Sequence, residues 1–236
     1  MSLGYPPNTI VRVLLDEFFP RRGLRAAPRS LAADGAARRF TDDEIVNDME
    51  QFGYVRLDAA REAPRGARDW VVVLVLGARG RYAAHGPDLR KLLEGVAADR
   101  LAVAGRLDEL IVVAEEEFFG KKNLTDVVGE FQATERRGVD AEGATPRFNA
   151  YPYHIFAHVV PANQSVPPHR LMDAPEAATM LERERLSERD LPAIAASDPP
   201  VIWLGGREGQ VVEITRPSQT ALQAMYYRRI ERRAFF

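Results

Sequence analysis

The sequence has no cysteine in 236 residues. That excludes disulfides, thiol nucleophiles and cysteine-ligated zinc, and it fits a reducing compartment. No apolar run approaches the roughly 20 residues needed to span a bilayer. The N-terminal "MSLGYPPNTI" lacks the basic start and apolar centre of a secretory signal. A large charge of one sign is also missing. The net charge is −2, which argues against nucleic-acid binding by bulk charge and leaves room for a local basic face. What is present, 46% hydrophobic and 28% charged residues, describes a soluble globular protein of one large or two small domains. An intracellular protein is the expectation.

The first half reads as alternating helices and strands. "NTIVRVLLDEFF" has apolar residues at helical spacing, with Asn8 as N-cap and Pro20 as its end. "RRGLRAAPRSLAADGAARR", residues 21–39, reads as a linker or exposed insertion. "TDDEIVNDMEQFGY" is a second helix, with a Thr41–Glu44 capping box and Gly53 as a left-handed stop. "DWVVVLVLG" and the run Leu110 to Val113 are apolar without alternation, as in strands covered on both faces. Amphipathic helices follow each, in "GPDLRKLLEGVAADRLA" and "KNLTDVVGEFQ". Strand, helix, strand, helix predicts an α/β layer with a parallel core.

The polar "ATERRGVDAEGATPRFNA" marks a domain boundary by composition, giving domains over 1–145 and 150–236. "YHIFAHVV" is expected to be a strand. "DAPEAATMLERERL" is a helix with an Asp173–Glu176 capping box and Pro175 in its first turn. "SERDLPAI" is a short helical turn capped by Ser187. "SDPPVIWLG" is a Pro-started helix stopped by glycine, and "QVVEIT" and "AMYYRRI" are strands. The second half is therefore an α+β module.

Several motifs invite chemistry. "GGREGQ" is glycine-rich, but a phosphate loop needs G-x-x-x-x-G-K-[ST] between a strand and a helix. Here a helix precedes it and a strand follows, so a helix stop and turn is expected. His154 and His158 have H-x-x-x-H spacing, which joins two imidazoles on a helix and separates them on a strand. Asp69 with Glu115, Glu116 and Glu117 suggests the ligands of a metal-dependent nuclease, without the E-x-K that such sites carry inside one strand. No convergent catalytic, metal or cofactor set is readable. "YYRRIERR" is basic and aromatic, suited to nucleic acid or to an acidic protein surface.

One ordered set is specific. Leu191, Pro192 and Ile194 precede Asp198 and Pro199, then Leu204 and Gly205. Gly209, Val211, Val212 and Ile214 follow, then Arg216, Pro217, Ser218 and Thr220, then Tyr227 and Arg228. In order and spacing this stretch, Leu171 to Ile230, resembles the fifth common subunit of eukaryotic nuclear RNA polymerases and its smaller counterpart in archaeal RNA polymerases. The N-terminal half matches only in layout. Departures include the insertion within "VVPANQSVPPHR", Ala193 in "LPAI", Gln219 in "RPSQT", and "EEEFFGKK" in place of a Thr-Pro-Ser loop near DNA. The family's Arg-Gly-Tyr element corresponds to "RRGL" or to "FGYV".

The resemblance implies an endonuclease-like three-layer α/β N-terminal domain without nuclease chemistry. It also implies an α+β C-terminal domain that docks on the largest polymerase subunit. The first domain forms part of the lower jaw near downstream double-stranded DNA, which leaves Lys121 and Lys122 as the DNA-proximal candidates. Arg216, Pro217, Ser218, Tyr227 and Arg228 are the partner-binding candidates. Arg and Tyr are favoured at interface centres; alternatively, Tyr227 packs in the core and Arg216 caps a turn. The family needs no cofactor and no catalytic residue of its own. It is nuclear in cells, and a large DNA virus's version works in the host nucleus, a cytoplasmic factory or the virion. The other readings are a metal-dependent nuclease and an isolated DNA-binding module, whose affinity falls steeply with salt.

Overall fold

The β-branched run from Val71 to Leu76 is buried throughout, as expected of a strand with helices on both faces. The structure is a computed structural model and describes residues 5–27, 40–62, 68–77, 86–101, 106–119, 123–135, 146–218 and 222–232. The chain forms two compact units, Met1–His158 and Val159–Phe236. Each contains a mixed sheet with helices.

In the first unit, α1 (Pro7–Val13), a π turn (Leu14–Phe18) and α2 (Phe19–Arg21) form one helical stretch. It leads to β1 (Arg25–Ala26), α3 (Asp42–Phe52), β2 (Tyr54–Glu62), β3 (Arg68–Leu76) and α4 (Gly86–Leu101). β4 (Arg106–Ala114), α5 (Asn123–Glu135), β5 (Arg147–Pro152) and α6 (His154–Ala157) complete it. The sheet order is β1-β2-β3-β4-β5. β3, β4 and β5 run parallel, whereas β1 and β2 pair antiparallel at one side. One face, with Val72, Leu74, Leu76, Leu110 and Val112, packs under Leu89 and Leu93 of α4 and Leu124, Val128 and Phe131 of α5. α1 packs against β3 and α3 against β2.

The second unit contains β6 (His169–Leu171), α7 (Ala174–Glu184), β7 (Ala193–Ala195), α8 (Pro199–Leu204), β8 (Val211–Ser218) and β9 (Leu222–Glu231). Its sheet order is β6-β8-β9-β7. Strand alternation divides its core. Val212, Ile214 and Ile230 meet Val201 and Leu204 of α8, while Val211 and Met172 meet Met180 and Leu181 of α7.

Local signals are partly realised. The Thr41–Glu44 box forms in both directions, and Gly53 ends α3 with φ 78°. At α7, Asp173 accepts from the Glu176 amide. The reciprocal half is absent, because Arg170 takes both oxygens of Glu176 at 2.7 Å. Asn8 is not the cap of α1, which starts at Pro7 after Pro6. Pro20 does not end the helical stretch, which runs to Arg21. A proline lacks the N–H that an α turn needs, and the ladder widens into the π turn just before it.

Three further expectations are corrected. Residues 21–27 are not an exposed linker: Arg22 and Leu24 are buried, and β1 pairs with β2. Residues 28–39 lie outside the described residues. "YHIFAHVV" is not a strand. The strand is "RFNAYP", because β5 completes the parallel sheet beside β4, and His154 starts α6. The composition boundary at 145–150 thus precedes or cuts the last strand of the first unit. β2 is absent from the sequence expectation, although Val55, Leu57 and Ala59 are buried between Arg56 and Asp58 in a plain period of two.

Candidate protein-interaction surface

The stretch "GGREGQ" is a scaffold turn. The Gly206 amide bonds to Val201 O and the Gly205 amide to Ile202 O, both at 3.0 Å, with Gly205 at φ 71°. This double closure ends α8. Gly206 is held for space: an added Cβ would lie 2.6 Å from Ile230 Cδ1 and 2.8 Å from Val201 Cγ1. Gly209, at φ 86°, turns the chain into β8. Asp198 precedes α8 without a side-chain cap bond. Burial raises its pKa against the opposing charges of His169 and Arg228.

β8 and β9 then form a long hairpin, registered from Val211↔Arg229 to Ser218↔Leu222. At its base the helices cover both faces. Tyr227 is half-buried and packs on the cluster of Met172, Met180, Leu191 and Val211, and Arg183 Nη2 donates to its hydroxyl at 3.4 Å. Arg228 is also half-buried, and its Nη1 donates to Ala193 O at 3.0 Å. Toward the tip, cover runs out. Arg216 and Pro217 are exposed, and the Arg216 guanidinium sits over the Tyr226 ring, 5.2 Å from its centroid. Tyr226 is 47% exposed, Met225 51% and Leu222 89%. Leu222 also has φ 60°, a left-handed conformation that costs a branched side chain about 1–2 kcal/mol. Sequence patterning marks Arg216, Pro217 and Ser218 but misses Leu222, Met225 and Tyr226, because apolar residues in a strand read as core.

The first unit gathers charge differently. Glu109 on β4 is buried. It accepts from Arg22 Nη2, from Arg147 Nη2 at 2.9 Å and from Asn149 Nδ2 at 2.7 Å. Burial pushes its carboxyl up, but the two guanidiniums and the hydrogen bonds prevail and hold it below the usual carboxylate range. Tyr151 is pushed well up by burial and by Glu109. Glu109 and Arg22 are buried while Arg147 is 21% exposed, and the cluster joins the end of α2 to β4 and β5. Nothing in sequence pattern pairs Arg22 with Glu109.

The acids of the nuclease reading do not converge. Asp69 stands opposite Arg106 at the start of the parallel β3–β4 pair, whereas Glu115 follows the end of β4. That separates them by about 30 Å at the usual strand rise. Glu116 instead accepts from the His154 amide at 3.1 Å and meets His154 Nδ1 at 2.9 Å. His158 stacks edge-on against Tyr5, at 6.0 Å. Among the described residues no group of three His, Asp or Glu side chains can hold a metal, and no helix is long and apolar enough to cross a membrane. Lys121 and Lys122 lie outside the described residues.

The family profile for RNA polymerase Rpb5, C-terminal domain, matches residues 159–230, most of the second unit. The DNA-directed RNA polymerase RPB5 homolog of a Kenyan pig isolate of African swine fever virus is 40% identical over 188 residues, covering 80% of this chain and 84% of that protein. The homolog from a Malawian tick isolate is 40% identical over 186 residues, covering 79% and 83%. The DNA-directed RNA polymerase subunit Rpo5 of Thermococcus celer is 43% identical over 76 residues, 32% of this chain and 87% of that protein. The identity extends along most of both chains and the profile match covers most of the second unit: the protein belongs to the RPB5 family of DNA-directed RNA polymerase subunits.

Proposed function

We propose that the chain is a non-catalytic subunit of a multisubunit DNA-directed RNA polymerase, and that the polymerase is that of a large DNA virus. The 40% identity to a viral polymerase subunit along most of both chains carries this reading. The C-terminal unit docks on the largest subunit through the β8–β9 hairpin. Arg216, Pro217 and Ser218 lie at the contact, and half-buried Tyr227 and Arg228 hold the hairpin's base in shape. The N-terminal unit, with helices packed on a mixed sheet, has the endonuclease-like fold without its chemistry. It serves as part of the lower jaw, with Lys121 and Lys122 toward downstream duplex DNA.

Affinity purification of the tagged chain from its native source tests the assembly. The large polymerase subunits should co-purify in stoichiometric amounts, and recovery of the chain alone or with unrelated proteins would sink the reading. The jaw placement is tested separately. A photo-crosslinker at position 121 or 122 of the assembled enzyme should label downstream DNA; label found only on protein removes it.

A further inference from the structure

The two edges of the β8–β9 hairpin are treated differently. The outward edge of β8 pairs with β6 through Ile214, and the Thr215 amide still bonds to Pro168 O at 3.0 Å. Outward N–H groups recur every second residue, so the next one falls at position 217. That residue is Pro217, which has no N–H. Proline on an edge strand blocks further pairing.

β9 has no such block. β7 pairs with it only from Arg229 to Glu231, and the Arg229 amide donates to Pro192 O at 3.0 Å. The same alternation directs the N–H and C=O groups of Gln223, Met225 and Tyr227 outward. Among the described residues of this unit, no strand pairs with the edge from Leu222 to Tyr227. This edge is about 20 Å long, continues the line of β7, and carries the exposed Leu222, Met225 and Tyr226. From Ile214 to Tyr227 Arg216 is the one charged residue of the sequence; at the base Arg229 pairs with Glu231 at 2.6 Å and Arg228 donates to Ala193 O.

We propose that an extended, acidic segment of the docking subunit adds to the β9 edge as a further strand, in line with β7, with Leu222 and Tyr226 as side-chain anchors. This rests on the docking reading above and specifies its mode. Strand addition draws affinity from main-chain bonds and specificity from alternate side chains. Arg216, the sole charge of the sequence from Ile214 to Tyr227, favours a negatively charged occupant. A bare backbone edge with apolar side chains favours polypeptide over nucleic acid, whose partners rely on dense positive charge. The left-handed Leu222 is then a strained residue kept at a contact.

The test compares the full chain alone with the chain in the assembled polymerase. Amide hydrogen exchange at Gln223, Met225 and Tyr227 should slow by about ten-fold or more on assembly. Met225→Pro deletes one outward N–H and spares the main-chain bonds to β8, while it removes the contact of Thr215 Oγ1 with Met225 Sδ at 3.3 Å. It should lower recovery of the large subunits by about ten-fold, the change that 1.4 kcal/mol produces, while Trp203 fluorescence reports an intact C-terminal unit. Should Met225→Pro misfold, the exchange measurement decides alone. If the wild-type chain assembles and the three amides stay fast, strand addition is wrong and docking stands. If the wild-type chain recovers no large subunits, the docking reading itself fails. Protection produced by concentrating the chain alone, or by adding duplex DNA, overturns the proposal in favour of a second copy or of nucleic acid.

Discussion

The two units place their charges in opposite ways. The N-terminal unit buries Glu109 between Arg22 and Arg147, with the Arg22 and Glu109 side chains only 2% and 3% exposed. The C-terminal unit carries an outer network, where half-exposed Arg170 bridges Glu176 and Glu213. Breaking a buried pair leaves an uncompensated charge out of water, whereas breaking an exposed one lets water replace the partner. The first unit therefore depends on long-range electrostatics for integrity. The second depends on local turns, caps and close packing, and it keeps Arg216, Leu222, Met225 and Tyr226 exposed.

Each unit carries its own reporter, buried Trp70 in the first and Trp203 in the second, so the comparison can be broken one side at a time. The largest effect should come from Glu109→Gln. Buried Arg22 and half-buried Arg147 lose their shared counter-ion, at a cost of about 3–5 kcal/mol. Denaturant unfolding followed at Trp70 should shift strongly, with the Trp203 transition unmoved. The sign with pH follows from the lowered pKa of Glu109. Its stabilisation is full above the ordinary carboxyl range and is lost as pH falls through the depressed value. The acid limb at Trp70 should flatten in the variant.

Gly206→Ala should strike the other unit. A methyl group between Ile230 and Val201 overpacks the core, at about 1–3 kcal/mol, and only the Trp203 transition should move. Smaller and symmetrical effects are expected from the caps. Thr41→Ala should cost the first unit about 1 kcal/mol, and Asp173→Ala should cost the second about 1 kcal/mol. A cap variant that shifts both transitions would show that the units unfold together. The smallest effect belongs to Arg170→Met, which should leave both midpoints within experimental error. A clear loss there would mean that the outer ion pairs matter as much as the buried cluster.

The same contrast explains what the sequence makes legible. Gly205, Gly53, Thr41 and Asp173 act within a few residues of themselves, so their roles can be read directly. The C-terminal unit is built from such signals, and its ordered motifs carry the family resemblance. The buried β3 and β4 are visible as apolar runs, but many apolar sequences fill such a core, so the N-terminal half shows a layout and no signature. β2 shows a two-residue period in Val55, Leu57 and Ala59, shortened by alanine and framed by charge. β5 is hidden because Arg147 and Asn149 look like loop residues; they are polar in order to reach Glu109. The apolar tip at Leu222, Met225 and Tyr226 could not be told from core, because exposure is decided by where α7 and α8 stop.

The buried cluster also orders the chain in time. Arg22 is made early, Glu109 much later and Arg147 later still, since synthesis runs from the N-terminus. Until β5 has left the ribosome, the α2 arginine has only part of its final surroundings, and the parallel sheet lacks its last strand. The first unit can close only near the end of its own translation, just as the second unit begins to emerge.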